Sequence, residues 1–197
     1  MSFHPQMPYG TPRWHQSGRT LADEGPAFAF TAENRQQLDR IIARYPPDRR
    51  KSALLPALYL VQEQQGHVTG SAMTHVAEVI GCSRAEVEDV VTYYVMFFTQ
   101  PVGKYVLQVC RTLSCALNGG GRVTEALCQH LGVKPGETTA DGLFTVMEME
   151  CLGACDRAPV VMVNNEHWHE CQSAEQVPEL IAALREKGLA GLSGCVH

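Results

Sequence analysis

The chain has 197 residues, 45% of them hydrophobic, and carries a formal net charge of -5. This length suits one or two domains, and the acidic balance argues against a broad nucleic-acid-binding surface. The N-terminal stretch lacks the basic run and apolar segment of a signal peptide. The longest apolar run, Val90–Phe98, is far shorter than the roughly 20 residues of a membrane span. We therefore expect a soluble cytoplasmic protein without a membrane span.

Residues 1–30 form an irregular N-terminal arm in this interpretation. They are interrupted by prolines and glycines, and their apolar residues follow neither a helical nor a strand period. A disordered tail is one interpretation. The aromatic residues, among them Trp14 and Phe28, allow a second one, in which the arm docks onto a partner.

Residues 31–99 carry four short amphipathic patterns, with apolar residues recurring at the helical spacing. We predict four helices joined by brief loops, which together make an N-terminal four-helix bundle-like domain. The first contains Leu38 and Tyr45 and stops at Pro46, the second covers about residues 52–65, the third ends before Gly81, and the fourth begins with a capping box at Ser83 and Glu86.

The third and fourth predicted helices could also be read as a DNA-binding helix-turn-helix. The early residues of the second helix would then have to approach phosphates, but Glu86, Glu88 and Asp89 are acidic and would repel them. We therefore expect no nucleic-acid partner and interpret this domain as a packing or docking module.

The linker is predicted at residues 100–103, where a proline and a glycine follow the last helical pattern. A small layer of strands and helices follows over residues 104–190, which makes the chain α+β or α/β overall, and residues 191–197 form a tail. The predicted order is a strand over 104–110, a helix around Val123–Leu131, strands over 144–149, 160–163 and 167–171, with a turn at Asn164-Asn165, and a helix around Val177–Leu184.

Four of the eight cysteines form two short-spaced pairs. Four residues separate Cys110 from Cys115, three separate Cys151 from Cys155, and 35 lie between the pairs. Such pairs suit a four-thiolate zinc site, although the first spacing is at the wide edge for zinc. They also suit an iron–sulfur cluster, which tolerates wider spacings. A disulfide framework requires an oxidising compartment, which nothing in the sequence indicates.

The remaining candidates show weaker patterns. Cys82, Cys128, Cys171 and Cys195 have no close cysteine neighbour, so we assign them no ligand role. His167 and His169 alternate with Trp168 on one strand face, which we expect to be solvated rather than to bind a metal. Gly119–Gly121 and Gly153, near the pairs, could bring backbone N–H groups to sulfur or simply form turns.

The sequence contains neither GxGxxG after a strand nor GxxxxGK[ST]. We therefore expect no nucleotide or flavin site and no catalytic residue on this chain, so any electrons that it carries must come from a partner.

The chain closely resembles the small [2Fe–2S] subunit of the NADH-dehydrogenase module of respiratory complex I. The resemblance covers residues 31–187 and rests on SALLPALYLVQEQQG, VVTYYVMF, PVGKYVLQVC and CLGACDRAPVVMVN, together with the cysteine spacing. It implies a helical domain followed by a thioredoxin-like ferredoxin domain. It also implies one [2Fe–2S] cluster on Cys110, Cys115, Cys151 and Cys155, and a cis bond between Ala158 and Pro159.

The resemblance implies partners as well. FMN and NADH are expected on a flavin-bearing subunit beside the cluster, with further subunits of the peripheral arm of complex I nearby. The chain would then be a non-catalytic subunit of an NADH:quinone oxidoreductase, peripheral on the cytoplasmic side of the inner membrane. Similar subunits serve NAD-reducing hydrogenases and NAD-dependent formate dehydrogenases, and a stand-alone thioredoxin-like ferredoxin or redox sensor is a further alternative.

Overall fold

The computed structural model describes residues 24–192. Within them the chain forms two compact units, one ending at Pro101 and the other beginning at Val102. Residues 1–23 of the predicted arm and 193–197 of the predicted tail lie outside the described residues.

The first unit consists of helices around one hydrophobic core. Three of its helices begin at a hydroxyl side chain that accepts a backbone N–H, which satisfies a donor that the first helical turn leaves unpaired. The predicted capping box of Ser83 and Glu86 is confirmed. The helices are α1 (Ala32–Ile42), α2 (Leu54–Gln65), α3 (Gly70–Ile80) and α4 (Arg84–Tyr93).

The start of the second predicted helix is wrong by two residues. A 3₁₀ segment, Pro47–Ala53, precedes α2 and contains a non-helical residue, Arg49. Proline fixes the backbone at the beginning of this segment and removes a donor, so a short, tight turn forms before the regular helix begins.

Residues 24–30, the described end of the predicted arm, contact the helical unit. The Ser71 N–H donates to the Glu24 carbonyl and the Ser71 hydroxyl donates to the Pro26 carbonyl. The rings of Phe28 and Phe30 lie 5.2 Å apart and both contact the His75 ring. These contacts fix the segment by polar and aromatic interactions together.

The second unit contains a mixed four-stranded sheet in the order β2-β1-β3-β4. The central strand β1 pairs parallel with β2 and antiparallel with β3, and β4 pairs antiparallel with β3. The strands are β1 (Tyr105–Cys110), β2 (Phe144–Met149), β3 (Val161–Val163) and β4 (His167–His169), and the helices are α5 (Leu113–Leu117), α6 (Gly120–Leu131) and α7 (Val177–Lys187).

Helices α6 and α7 share one hydrophobic core with the sheet. Alternate residues of β1, Tyr105, Leu107 and Val109, belong to this core. Because successive side chains of a strand point to opposite faces, Cys110 belongs to a separate small cluster with Cys115 and Val160. Helix α5 is absent from the predicted order, because five residues are too few to show a helical period.

The predicted turn between β3 and β4 is confirmed by two consecutive residues with positive φ, Asn164 and Asn165. The Asn164 side chain accepts from the Val106 N–H and donates to the Lys104 carbonyl. The buried Gln108 side chain donates to Asn165 Oδ1 and accepts from its N–H. The hairpin is therefore tied to β1 by side chains as well as by strand pairing. The expected cis bond between Ala158 and Pro159 is also confirmed.

Candidate functional site

The first cysteine pair lies where β1 passes into α5. Cys110 is the last residue of the strand and Cys115 lies within the helix. Both are buried. A Cβ atom at Gly120 would come within 2.9 Å of the Cys110 carbonyl oxygen, so glycine allows α6 to begin against this pair.

The second cysteine pair follows β2 and is exposed. The sulfurs of Cys151 and Cys155 lie 3.6 Å apart. Gly153 between them has a φ of 88°, which glycine adopts without strain. The Trp168 indole N–H donates to the Leu152 carbonyl at 3.1 Å, which links this loop to β4.

The structure brings the two pairs together. The Cys110 thiol forms a hydrogen bond with Cys115, and the negative charge of an ionised Cys110 opposes ionisation of both Cys151 and Cys155 by raising their pKa. The hydroxyl of Thr112 lies 3.2 Å from the Cys110 sulfur and also forms a hydrogen bond with Cys151. All four cysteines predicted as ligands are thus neighbours in one site.

Each pair contains one thiol that ionises readily and one that does not. Burial opposes ionisation of Cys110, but hydrogen bonds from Thr112 and Leu152 outweigh it and lower its pKa. Burial raises the pKa of Cys115 to about 11, and its hydrogen bond with Cys110 adds to the rise. The Gly153 N–H donates to the Cys151 sulfur and lowers its pKa. Cys151 in turn raises the pKa of Cys155, through a hydrogen bond between the two side chains and through its charge. Interacting sites of this kind titrate as pairs.

Backbone N–H groups donate to three of the four sulfurs. Those of Thr112 and Leu152 donate to the Cys110 sulfur, that of Val160 to Cys115, and that of Gly153 to Cys151. Donors of this kind stabilise negative charge on sulfur and are the contacts through which proteins tune iron–sulfur centres.

In the described part of the chain, no three His, Cys, Asp or Glu side chains form a group that could hold a metal ion. The cysteines between residues 24 and 192 are all free. An iron–sulfur cluster is larger than a single ion, and four free thiols in two pairs match its donor set.

Charged side chains lie beside the site on β2 and the residue after it. The Arg111 guanidinium is 3.8 Å from the Glu148 carboxylate and 3.8 Å from the Glu150 carboxylate. Partly exposed ion pairs at this distance contribute little to stability, but these two place both signs of charge next to the first cysteine pair.

The cysteines that were assigned no ligand role belong to other environments. Cys82 contacts the core of the helical unit, and Cys128 contacts the core of the second unit, where burial raises its pKa. Cys171 is exposed, and its N–H donates to the Arg157 carbonyl. Cys195 lies outside the described residues.

The expectation of a solvated histidine face is only partly met. His167 and His169 both pair with β3 and are partly buried rather than exposed. The Nε2 atom of His169 is buried without a hydrogen-bond partner, and burial, together with His167, lowers the pKa of His169. Burial therefore disfavours the charged form of this imidazole.

Sequence reasoning missed Thr112 and Trp168 as contributors to the site. Their contacts depend on the path of the two cysteine loops, and neither residue type signals a sulfur contact by itself. None of the helices between residues 24 and 192 combines the length and apolarity that crossing a membrane requires.

A family model described as thioredoxin-like [2Fe-2S] ferredoxin matches residues 38–185. NADH-quinone oxidoreductase subunit 2 of Thermus thermophilus is 40% identical over 158 residues, which cover 80% of this chain and 87% of that protein. Another NADH-quinone oxidoreductase subunit, from Rhizobium meliloti, is 38% identical over 151 residues, which cover 77% of this chain and 88% of that protein.

A solved structure of an NAD⁺-reducing [NiFe]-hydrogenase in the air-oxidised state is similar in fold, with a TM-score of 0.59 and 20% identity. The match covers 72% of this chain and 24% of the hydrogenase chain. The family model covers most of this chain, and both relatives are at least 38% identical over most of their own length. The chain therefore belongs to the thioredoxin-like [2Fe–2S] ferredoxin family.

Proposed function

We propose that the chain is the electron-transfer subunit of an NADH:quinone oxidoreductase, with one [2Fe–2S] cluster on Cys110, Cys115, Cys151 and Cys155. The proposal rests on one observation: the two pairs of cysteine thiols lie close together and accept hydrogen bonds from backbone N–H groups. A bound cluster supplies one-electron redox chemistry. The protein's part is to hold the four sulfurs and to donate hydrogen bonds to them.

The choice of host complex rests on the named relatives. Two proteins named as NADH-quinone oxidoreductase subunits are 38–40% identical over most of their length. The likeness to the hydrogenase chain, at 20% identity, concerns the fold alone. We therefore prefer a quinone-linked NADH dehydrogenase to a hydrogenase, a formate dehydrogenase or a stand-alone redox sensor.

The proposal requires a partner that carries FMN and binds NADH. NADH delivers a hydride, whereas an iron–sulfur centre accepts single electrons, so a flavin must stand between them. Two exposed leucines on α5, Leu113 and Leu117, flank the buried Cys115 and are 74% and 77% exposed. Exposed apolar side chains beside the sulfurs suit a protein contact. We assign this surface to the flavin-bearing subunit.

The remaining partners follow from the same assignment. Further subunits of the peripheral arm of complex I would surround the chain, with no nucleic acid among its ligands. The chain would be peripheral on the cytoplasmic side of the inner membrane, attached through its partners.

Metal analysis tests the cluster directly. The protein purified without oxygen should contain about two iron and two acid-labile sulfide ions per chain, as a [2Fe–2S] cluster requires. Serine at any one of the four proposed ligands should reduce iron content and visible absorbance. Cys128→Ser and Cys171→Ser are matched controls and should retain both. Stoichiometric zinc without visible absorbance would contradict the proposal.

A further inference from the structure

The Thr112 hydroxyl is not used as a helix cap, although Thr112 occupies the N-cap position of α5. At the same position of α1, α3 and α4, the hydroxyls of Thr31, Thr69 and Ser83 accept a backbone N–H from the first helical turn. A threonine at an N-cap normally stabilises a helix in this way. In α5 the side chain makes no capping hydrogen bond, so its hydroxyl is available for another contact.

That contact is with cysteine sulfur from both pairs. Thr112 Oγ1 lies 3.2 Å from the Cys110 sulfur, and the same hydroxyl forms a hydrogen bond with Cys151. Cys110 is the buried end of a strand and Cys151 belongs to the exposed loop. A single partly buried side chain thus reaches across the two halves of the site.

We propose that Thr112 is a positioning residue whose single hydroxyl hydrogen is shared between the sulfurs of Cys110 and Cys151 and thereby raises the reduction potential of the cluster. The inference rests on the proposed function, because it takes these cysteines as cluster ligands. A thiolate bound to iron carries no proton, so the hydroxyl must be the donor. Reduction adds negative charge to the site, and a donor to sulfur stabilises that charge.

The test is the reduction potential of three variants of the loaded protein, measured by a dithionite titration followed by absorbance and paramagnetic resonance. Thr112→Val keeps the branched shape and removes the hydroxyl, so the equilibrium constant for reduction should fall by about tenfold. For a one-electron couple this fall corresponds to about 59 mV. Thr112→Ser keeps the hydroxyl and should restore a potential near that of the wild type.

Thr124→Val is the matched control, because the Thr124 hydroxyl donates to the Gly120 carbonyl within α6. Its potential should match the wild type. Thr112→Ala removes the hydroxyl from a smaller side chain. If Thr112→Val and Thr112→Ala both lose iron while Thr112→Ser retains it, the hydroxyl is needed to hold the sulfurs, which supports the proposal.

Two outcomes would overturn the inference. One is a wild-type potential in a loaded Thr112→Val protein. The other is an equal fall in Thr112→Ser and Thr112→Val, which would assign the effect to packing. A wild-type protein without two iron and two sulfide ions per chain would instead contradict the proposed function. The two failures are therefore distinguishable.

Discussion

At the scale of single residues, Trp168 fixes the loop of the second cysteine pair. Its indole N–H donates to the Leu152 carbonyl, and the N–H of the same leucine donates to the Cys110 sulfur. The ring also packs against the small cluster that contains the first pair. Trp168 therefore holds in place a residue whose N–H bonds across the site to Cys110.

Trp168→Phe should keep the aromatic packing and remove the hydrogen bond to Leu152. Loss of one such bond costs about 0.5–1.5 kcal/mol, so iron should be lost to an excess of chelator roughly two- to tenfold faster. The decay of visible absorbance measures this rate. Loss of iron at the wild-type rate would mean that packing alone holds the loop.

The residues of the site differ in how far the sequence predicts them. The spacing of Cys110, Cys115, Cys151 and Cys155 predicts two pairs that meet, and the structure places them together. Spacing does not reveal Thr112 or Trp168, because hydrogen bonds between loops depend on tertiary geometry. For the same reason, the alternation of His167 and His169 with Trp168 along the strand does not predict that His169 is partly buried.

At the scale of elements, the hairpin between β3 and β4 shows which local signals are sufficient. Two asparagines between apolar runs predict a turn, and both adopt positive φ. The strands and long helices of this unit are likewise predicted, because their apolar periods extend over enough residues. The sequence does not predict the short elements, which are α5 and the 3₁₀ segment before α2. Each has fewer residues than two turns of an α-helix, too few to show a helical period.

Asn164 allows the turn to be tested with a matched pair of variants. Asn164→Ala loses the hydrogen bonds to Val106 and Lys104 and leaves alanine in the left-handed region, which asparagine tolerates better. We expect it to lower the free energy of unfolding by about 2–4 kcal/mol. Asn164→Gly loses the same bonds without the strain, so it should be less destabilising by about 1 kcal/mol.

Urea unfolding of the two loaded variants under anaerobic conditions measures this difference. If Asn164→Ala and Asn164→Gly have the same unfolding midpoint, the backbone conformation of the turn contributes nothing, and the side-chain hydrogen bonds account for the whole effect.

At the scale of the whole molecule, the site belongs to one of the two compact units. All four proposed ligands lie beyond Val102, while the unit that ends at Pro101 contributes a separate hydrophobic core. The family match nevertheless runs from residue 38 to residue 185 and so includes most of both units. We assign the exposed leucines of α5, Leu113 and Leu117, to a surface that contacts a partner.

The purified chain alone should therefore not oxidise NADH, because its sequence contains no dinucleotide- or phosphate-binding motif. When the chain is mixed with its flavin-bearing subunit, NADH should bleach the visible absorbance of the cluster. The double variant Leu113→Ser, Leu117→Ser should retain its cluster and be reduced normally by dithionite. Its reduction by NADH through the flavin subunit should be at least several-fold slower at limiting concentrations, because the apolar contact beside Cys115 is lost.

Two results would count against this account. A double variant that NADH reduces as fast as the wild type at limiting partner concentrations would place the flavin-bearing subunit on another surface. Reduction of ferricyanide by NADH with the chain alone, free of flavin, would require a self-sufficient dehydrogenase instead. A [2Fe–2S] cluster accepts one electron at a time and cannot take a hydride from NADH. That result would therefore mean that the chain itself oxidises NADH, and the proposed electron-transfer function would be wrong.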